Sequence, residues 1–522
     1  MIFKIARVVT MSAAMLLVGT AFASAETSAT PAANVVAQAS PEPSSSPNPL
    51  SYKGYFRGYY FTRQNASANK SAVNQASFNA AVSLSGQYAF RDSGFSVGAT
   101  YLYANPLNNC SNPASHFSPP CGKVSAPALN PDDTLPGFSL STLYEAFVQY
   151  QDAKTAVKIG DQVINTPWTN PSDSRVKPEA FQGADFSYKF DKTWTGELSY
   201  YNAFEDRVSS QFFRSTLLTY NPADAPGQQS LVNVSGSNGT SMTTNNGFFY
   251  GRLGYDNGTN LTANGHYYAF SDIANLFWLD AKYKLKGNLK PFVAAQFGNE
   301  TNAGSSLVGK LSSQVFGLQG GISVTPNVTV TLSYDGIPSK STTVALPPGI
   351  SCQSAAGKIN TLPTNVGAAN YFVANGGPNC LALPSIGGVN YAQVYYGGIA
   401  SPYTDSYATD PLFTTAISSG LVDRRSFGTS GKLSVGFVSD NKRFVASIGR
   451  ALYAYGNNAI GVEPTQESNI DAMYYFSEMP KAGPYKGFMF RERYAERTIA
   501  NTALYGGTPL FKYNRTQFEY DF

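Results

Sequence analysis

Charged residues are scarce in this sequence: Asp, Glu, Lys and Arg make up 13% of 522 residues, against about 25% in an ordinary soluble domain. Histidine is scarcer still, with His116 and His266 alone. Past the first 25 residues no apolar run approaches the roughly 20 residues of a membrane-spanning helix, and the mean hydropathy is −0.20. A helical membrane protein is therefore excluded. Disorder is excluded too, because disordered chains lack the aromatics that here reach 14%. What fills the space is 34 Tyr, 34 Phe and 47 Gly. A polar, aromatic and glycine-rich chain with few charges fits the closed transmembrane β-barrel.

Lys4 and Arg7, the apolar stretch from Val8 to Phe22, and Ala23-Ser24-Ala25 form a secretory signal peptide, residues 1–25. Its removal leaves 35 basic residues against 33 acidic, too near balance to imply a nucleic-acid partner. Residues 26–50 are rich in Pro, Ser and Ala and read as a periplasmic linker, so residues 51–522 are the barrel. Cysteine is sparse as well, with Cys110, Cys121, Cys352 and Cys380. In an oxidising compartment these read as two loop disulfides, with the local pairing favoured among three. Neither pair has CxxC spacing or a His partner, so no metal and no cofactor is expected.

Alternation with a period of two runs through the rest of the chain. Phe78, Ala80, Val82, Leu84, Gly86, Tyr88 and Phe90 share one face, opposite Asn79, Ser83 and Gln87. Phe277, Leu279, Ala281, Tyr283 and Leu285 oppose Trp278, Asp280, Lys282 and Lys284, and Val328 to Asp335 splits likewise. About eighteen such strands lie near 52–62, 77–90, 95–103, 143–150, 154–160, 183–190, 194–204, 247–255 and 260–270. The others lie near 276–285, 291–298, 314–324, 328–335, 431–438, 444–453, 471–477, 486–494 and 511–522. Tight-turn sequences such as Arg91-Asp92-Ser93-Gly94 and Asp256-Asn257-Gly258-Thr259 alternate with long connections at 104–142, 161–182, 205–246 and 336–430. Ser271 to Asn275 is a short connection where a long one is due. Segregating short turns from long loops is how an outer-membrane barrel separates its two ends. The expected fold is all-β, a transmembrane antiparallel barrel of about 18 strands in the bacterial outer membrane.

The last strand carries Phe518, Tyr520 and Phe522 on one face. Its expected partner is the barrel-assembly machinery, reading the strand that ends in Phe522. The barrel surface would meet outer-membrane lipid and lipopolysaccharide.

Tyr55-Phe56-Arg57-Gly58-Tyr59-Tyr60-Phe61-Thr62-Arg63 resembles the first strand of the porin D family of substrate-specific outer-membrane porins. Val157-Lys158-Ile159-Gly160, Ser172-Asp173-Ser174-Arg175, Pro178 and Phe181-Gln182-Gly183 are similar to that family's third loop and its flanks. Gly309-Lys310 with Gly317, Asp423-Arg424-Arg425-Ser426 and Phe490-Arg491-Glu492-Arg493 follow in the same order. The resemblance implies a monomeric barrel of eighteen strands whose third and seventh outer loops fold inward, with a lumenal track of Arg and Lys for carboxylate-bearing solutes. The constriction residues it points to are Asp173, Arg175, Lys177, Asp423, Arg424, Arg425 and Ser426. The chain departs from the family in its seventh loop, which is long and carries Cys352 and Cys380.

A charge facing lipid at mid-bilayer costs roughly 2–4 kcal/mol, so strand-borne charges must point inward or sit at the rims. Alternation places Lys53, Arg57, Lys158, Lys189, Arg252, Lys282, Lys284, Lys432, Arg491, Arg493 and Arg515 inward, with Glu145, Asp185, Glu197, Asp280 and Asp521. Such charges either guide solutes across a transverse field or solvate the interior and pair with one another. Gly94-Phe95-Ser96-Val97-Gly98 matches the serine-hydrolase G-x-S-x-G, but it enters an alternating strand rather than a strand–turn–helix. No enzyme is expected. The sequence therefore reads as a passive diffusion channel for small hydrophilic solutes, favouring carboxylate-bearing ones such as amino acids or organic acids. The alternative is a structural or adhesive barrel whose long loops bind a partner.

Overall fold

The computed structural model describes residues 49–64, 74–107, 129–130, 135, 139–171, 175–214, 216–218, 247–346, 348–349, 352, 379–404, 409–423, 425–480, 484–498 and 510–522. The expected signal peptide, nearly all of the expected linker, Cys110, Cys121, Asp173 and Arg424 lie outside the described residues.

The chain opens with β1 (Leu50–Gln64), β2 (Asn74–Ala89), β3 (Phe95–Pro106), the two-residue β4 (Leu129–Asn130), β5 (Leu140–Gln151), β6 (Thr155–Gln162) and β7 (Ala180–Lys189). There follow β8 (Trp194–Glu205), β9 (Phe248–Asp256), β10 (Leu261–Phe270), β11 (Ala274–Lys284), β12 (Phe292–Asn302), β13 (Ser312–Thr325) and β14 (Val328–Ile337). Then come β15 (Lys340–Leu346), β16 (Asn379–Ile386) and β17 (Val389–Tyr396), which form a small sheet of their own. The last are β18 (Gly428–Val438), β19 (Phe444–Asn457), β20 (Gly461–Tyr475), β21 (Gly487–Thr498) and β22 (Leu510–Asp521).

Setting aside β4 and the β15–β17 sheet, eighteen antiparallel strands pair in chain order, and β22 returns to β1 with Phe518 opposite Gly58. Closure removes every edge, the condition for strands to lie in lipid. The seam is finished by Gly54 and Phe522, which exchange backbone hydrogen bonds of 3.1 and 3.0 Å. Gly54 is required there: a Cβ would meet the Phe522 ring at 2.5 Å.

All eighteen expected strands are present, and the faces read at 78–90, 277–285 and 328–335 agree with the burial. The burial pattern is inverted relative to a soluble protein, with apolar side chains outside and polar ones inside. On β11, Phe277 and Tyr283 flank Leu279 on the outer face, while Trp278 is buried inside. On β14, Leu332 is 65% exposed and its neighbour Ser333 only 4%. Aliphatic Leu198, Leu279, Leu332 and Ile448 occupy the middle of the outer wall, with Trp194, Tyr283, Phe444 and Tyr60 toward the ends. That banding matches a bilayer core between two interfaces.

One expectation is corrected. The strands near 444–453 and 471–477 leave 454–470 as a long loop, but β19 and β20 run on to Asn457 and from Gly461. The connection is three residues, 458–460. Charges at Glu463 and Glu467, with Pro464, masked the alternation; in the ladder Ala454 faces Pro464 and Tyr455 faces Glu463. The other short outer connection, 271–273, is a braced corner. Asp272 takes φ 58°, and its Oδ1 accepts from the Ser305 amide at 2.9 Å.

The interior of the barrel is partly filled by its own connections. Trp168, Val176 and Lys177 of the third outer connection, between β6 and β7, are almost fully buried, as are Tyr403, Thr414, Ser418 and Leu421 of the seventh, between β14 and β18. An aromatic wedge of Phe181, Phe204, Phe248 and Phe270 closes around Tyr403, with ring centroids 4.9–5.9 Å from it. Described parts of both connections therefore lie inside the barrel.

Candidate functional site: a lumenal passage

A cavity of about 580 Å³ lies within the barrel. Asn165, Thr166 and Asn170 of the third connection and Asp410 to Phe413 and Thr415 to Ile417 of the seventh bound it on one side, and inward residues of the wall bound it on the other. Its charged lining is mixed: Asp280, Asp410 and Asp471 with Lys282, Lys432 and Arg493.

The two connections are bonded to each other. Asn170 donates from its amide to Thr404 Oγ1 at 3.3 Å and from Nδ2 to Thr409 O at 3.0 Å. The Trp168 ring meets Trp278 of the wall at 5.3 Å. Beyond Pro171 the third connection locks to β1: Arg57 Nη1 donates to Arg175 O at 2.6 Å, and Tyr55 Oη to Val176 O at 2.8 Å. Arg175 itself lies 4.5 Å over the Phe61 ring. Lys177 pairs with Glu205 at 2.9 Å, and both are buried.

Most of the charges expected to point inward have a partner among the described residues. Arg57 pairs with Glu519 at 2.5 Å. Lys158 lies 3.5 Å from Glu145 and 3.9 Å from the Phe147 ring centroid. Arg252 pairs with Glu197 at 2.6 Å and bonds Asn264. Asp185 accepts from Ser199. Lys189 and Lys284 stand exposed at the turn end of the barrel. Lys282 lies 4.1 Å over the Phe292 ring, and Arg515 is 4.6 Å over Tyr59. Lys432 donates to Thr415 O at 2.6 Å, so it holds the seventh connection as well as facing the cavity.

Arg491 and Arg493 converge on one carboxylate. Arg491 grips Asp471 with Nε at 2.8 Å and Nη2 at 2.6 Å, and Arg493 approaches Oδ2 at 2.9 and 2.8 Å. Two guanidiniums on one carboxylate leave a net positive charge beside the passage, where low-dielectric walls strengthen its field. Asp471 was within reach of the sequence, at the first position of an expected strand; Glu300 and Glu467 were not, because both fall outside the strand limits read there. His266 sits between Tyr250 Oη and Asp280, 3.0 Å from each.

Asp423 is half-buried, while Arg425 and Ser426 are buried where the seventh connection leaves the lumen. Cys352 and Cys380 are joined in a disulfide, with Cα atoms 6.0 Å apart, beside the β15–β17 sheet. Ser96 accepts from Gln87 Nε2 at 2.9 Å within the β2–β3 ladder, in a strand context rather than a nucleophile elbow.

No protein-family model matches the chain, and no curated protein matches it in sequence. Solved structures do. Pseudomonas aeruginosa OccK9 (OpdG) is similar with a TM-score of 0.60 at 13% identity, over 90% of this chain and 98% of that one. Acinetobacter baumannii OccAB3 gives 0.60 at 13%, over 91% and 99%. A BenF-like porin from Pseudomonas fluorescens Pf-5 gives 0.59 at 11%, over 90% and 98%. This chain shares the fold of those proteins.

Proposed function

We propose that this chain is a porin of the bacterial outer membrane, a passive diffusion channel for small hydrophilic solutes that favours those bearing a carboxylate. One observation carries the reading: a closed barrel with an apolar outer band keeps a polar, mixed-charge cavity of about 580 Å³ beneath two inward-folded connections. A barrel built only for adhesion has no need to keep its interior open and charged. The carboxylate preference rests on Lys282, Lys432 and the net charge of Arg491 and Arg493 against Asp471. Forked guanidinium donors suit carboxylates, and weak serial contacts permit passage without trapping. Pseudomonas aeruginosa OpdK, a structural neighbour with a TM-score of 0.56 at 13% identity, was solved with vanillate, an aromatic carboxylate. The same class of solute is a sensible first probe here.

Purified protein in a planar bilayer is expected to give stepwise conductance; a folded barrel with none would refute the channel. Selectivity separates the two arginines. Arg493 lines the cavity and Arg491 does not. Arg493→Ala is therefore expected to shift the reversal potential toward cations and slow carboxylate uptake more than Arg491→Ala. Equal, negligible effects would remove Arg493 from the solute path.

A further inference from the structure

Beyond β17 the seventh connection runs through the lumen with no strand among its described residues, so its backbone polar groups must find partners elsewhere. Over Thr414–Gly420 the Thr415 and Ala416 amides turn back onto Leu412 O and Ser419 O, and side chains of the wall meet the Thr414 and Ser418 amides. Asp335 Oδ2 on β14 accepts from the Thr414 amide and from Thr414 Oγ1, both at 2.6 Å. Glu467 on β20 accepts from the Ser418 amide at 3.2 and 3.0 Å and from Ser418 Oγ at 2.7 Å. Upstream, Glu300 on β12 accepts from the Ala400 amide at 2.8 Å. Carbonyls are met by wall donors: Tyr453 Oη reaches Thr414 O at 2.7 Å and Ser419 O at 3.0 Å, and Arg497 donates to Ser418 O.

The three carboxylates are fully buried, and they stand on separate strands around the barrel. Burying a carboxylate is expensive unless hydrogen bonds compensate, and bonds from backbone N–H to an ionised acceptor are among the stronger ones. Three such residues spent on one irregular segment are more than lumen solvation requires. Thr415, Ala416 and Ile417, between the two closest anchor points, form a wall of the cavity.

We infer that Glu300, Asp335 and Glu467 are positioning residues that clamp the seventh connection to the barrel wall and thereby set the bore and selectivity of the passage. They do so without touching solute. The inference rests on the channel reading only for its consequence; the clamp is a property of the fold.

The test uses the full-length protein with Asp335→Ala and Glu467→Ala, singly and together, and with Asp335→Asn and Glu467→Gln, which keep a carbonyl oxygen as acceptor. Barrel folding is checked by resistance of the unheated band to unfolding on a denaturing gel. With the clamp removed, amide exchange across 409–423 is expected to quicken about tenfold or more, the size of losing a hydrogen bond to a charged acceptor. Single-channel conductance should rise, larger neutral solutes should pass, and carboxylate preference should fall. The amide variants should stay close to wild type in both readouts. Folded alanine variants with unchanged exchange over 409–423 would overturn the clamp. Faster exchange with unchanged conductance would overturn its role in the bore. Should wild-type protein itself fail to conduct, the channel reading falls, and the exchange measurement still decides the clamp. If the double variant does not fold, Glu467→Ala alone against Glu467→Gln decides it.

Discussion

Asp410 faces the same cavity as Lys432 and Arg493, yet among the described residues it has no ion pair. Its Oδ1 accepts from Thr415 Oγ1 at 2.6 Å and from the Leu412 amide at 3.0 Å, while Oδ2 is buried with no hydrogen bond. Burial pushes this carboxyl up to about 7, against the lowering effect of those two bonds. The group is therefore neutral below that pH and gains a negative charge above it, inside the passage. Anion permeation should fall, and the reversal potential in a salt gradient should move toward cation selectivity, between about pH 6 and about pH 8. Asp410→Asn should flatten that dependence. An unchanged pH response in the variant would assign it to another group. At this scale the sequence was informative about faces but not about partners. Alternation put Arg491 and Arg493 on the lumenal side, whereas their convergence on Asp471 depends on register between β20 and β21, where Asp471 stands opposite Arg493.

Among the elements, the strands were legible because lipid outside and water inside impose opposite chemistry on successive residues. The limits failed where that contrast weakens. β20 carries Glu463, Pro464, Gln466 and Glu467 above the membrane band, so its upper half reads as loop although it pairs residue for residue with β19. The lumenal stretch 409–423 of the seventh connection has no period, because wall side chains and local turns rather than a ladder meet its backbone groups. Its neck can be tested with one residue. Gly397 and Gly398 lead into the lumen, and a Cβ on Gly398 would run into the Arg425 carbonyl where the chain leaves again. Ser313 Oγ donates to both glycine carbonyls at 2.5 Å, holding the neck to β13. Gly398→Val must part the two strands of chain at a cost of roughly 1–3 kcal/mol. A lower melting temperature together with an altered conductance is the expected result. Wild-type values for both would show that the neck can yield elsewhere.

For the whole molecule, the decisive property is that outside and inside have exchanged their usual chemistry, and adjacent residues of one strand can test it. Leu332 and Ser333 sit next to each other midway along β14. Leu332 is 65% exposed on the outer wall, and Ser333 is 4% exposed and lines the cavity. In a soluble protein, arginine at the exposed position would be harmless and at the buried one damaging. In a membrane barrel the order reverses. An outward arginine at mid-bilayer costs roughly 2–4 kcal/mol, whereas an inward one meets water and the carboxylates of the lumen. Leu332→Arg is therefore expected to fold poorly into lipid vesicles and to unfold at lower denaturant. Ser333→Arg should insert like wild type, pass less current through its narrowed cavity and become more anion-selective. Refolding yield and denaturant midpoint measure the first effect, and conductance and reversal potential the second. Should Leu332→Arg insert as well as wild type while Ser333→Arg fails, the wall assigned to lipid faces water, and the channel reading falls with it.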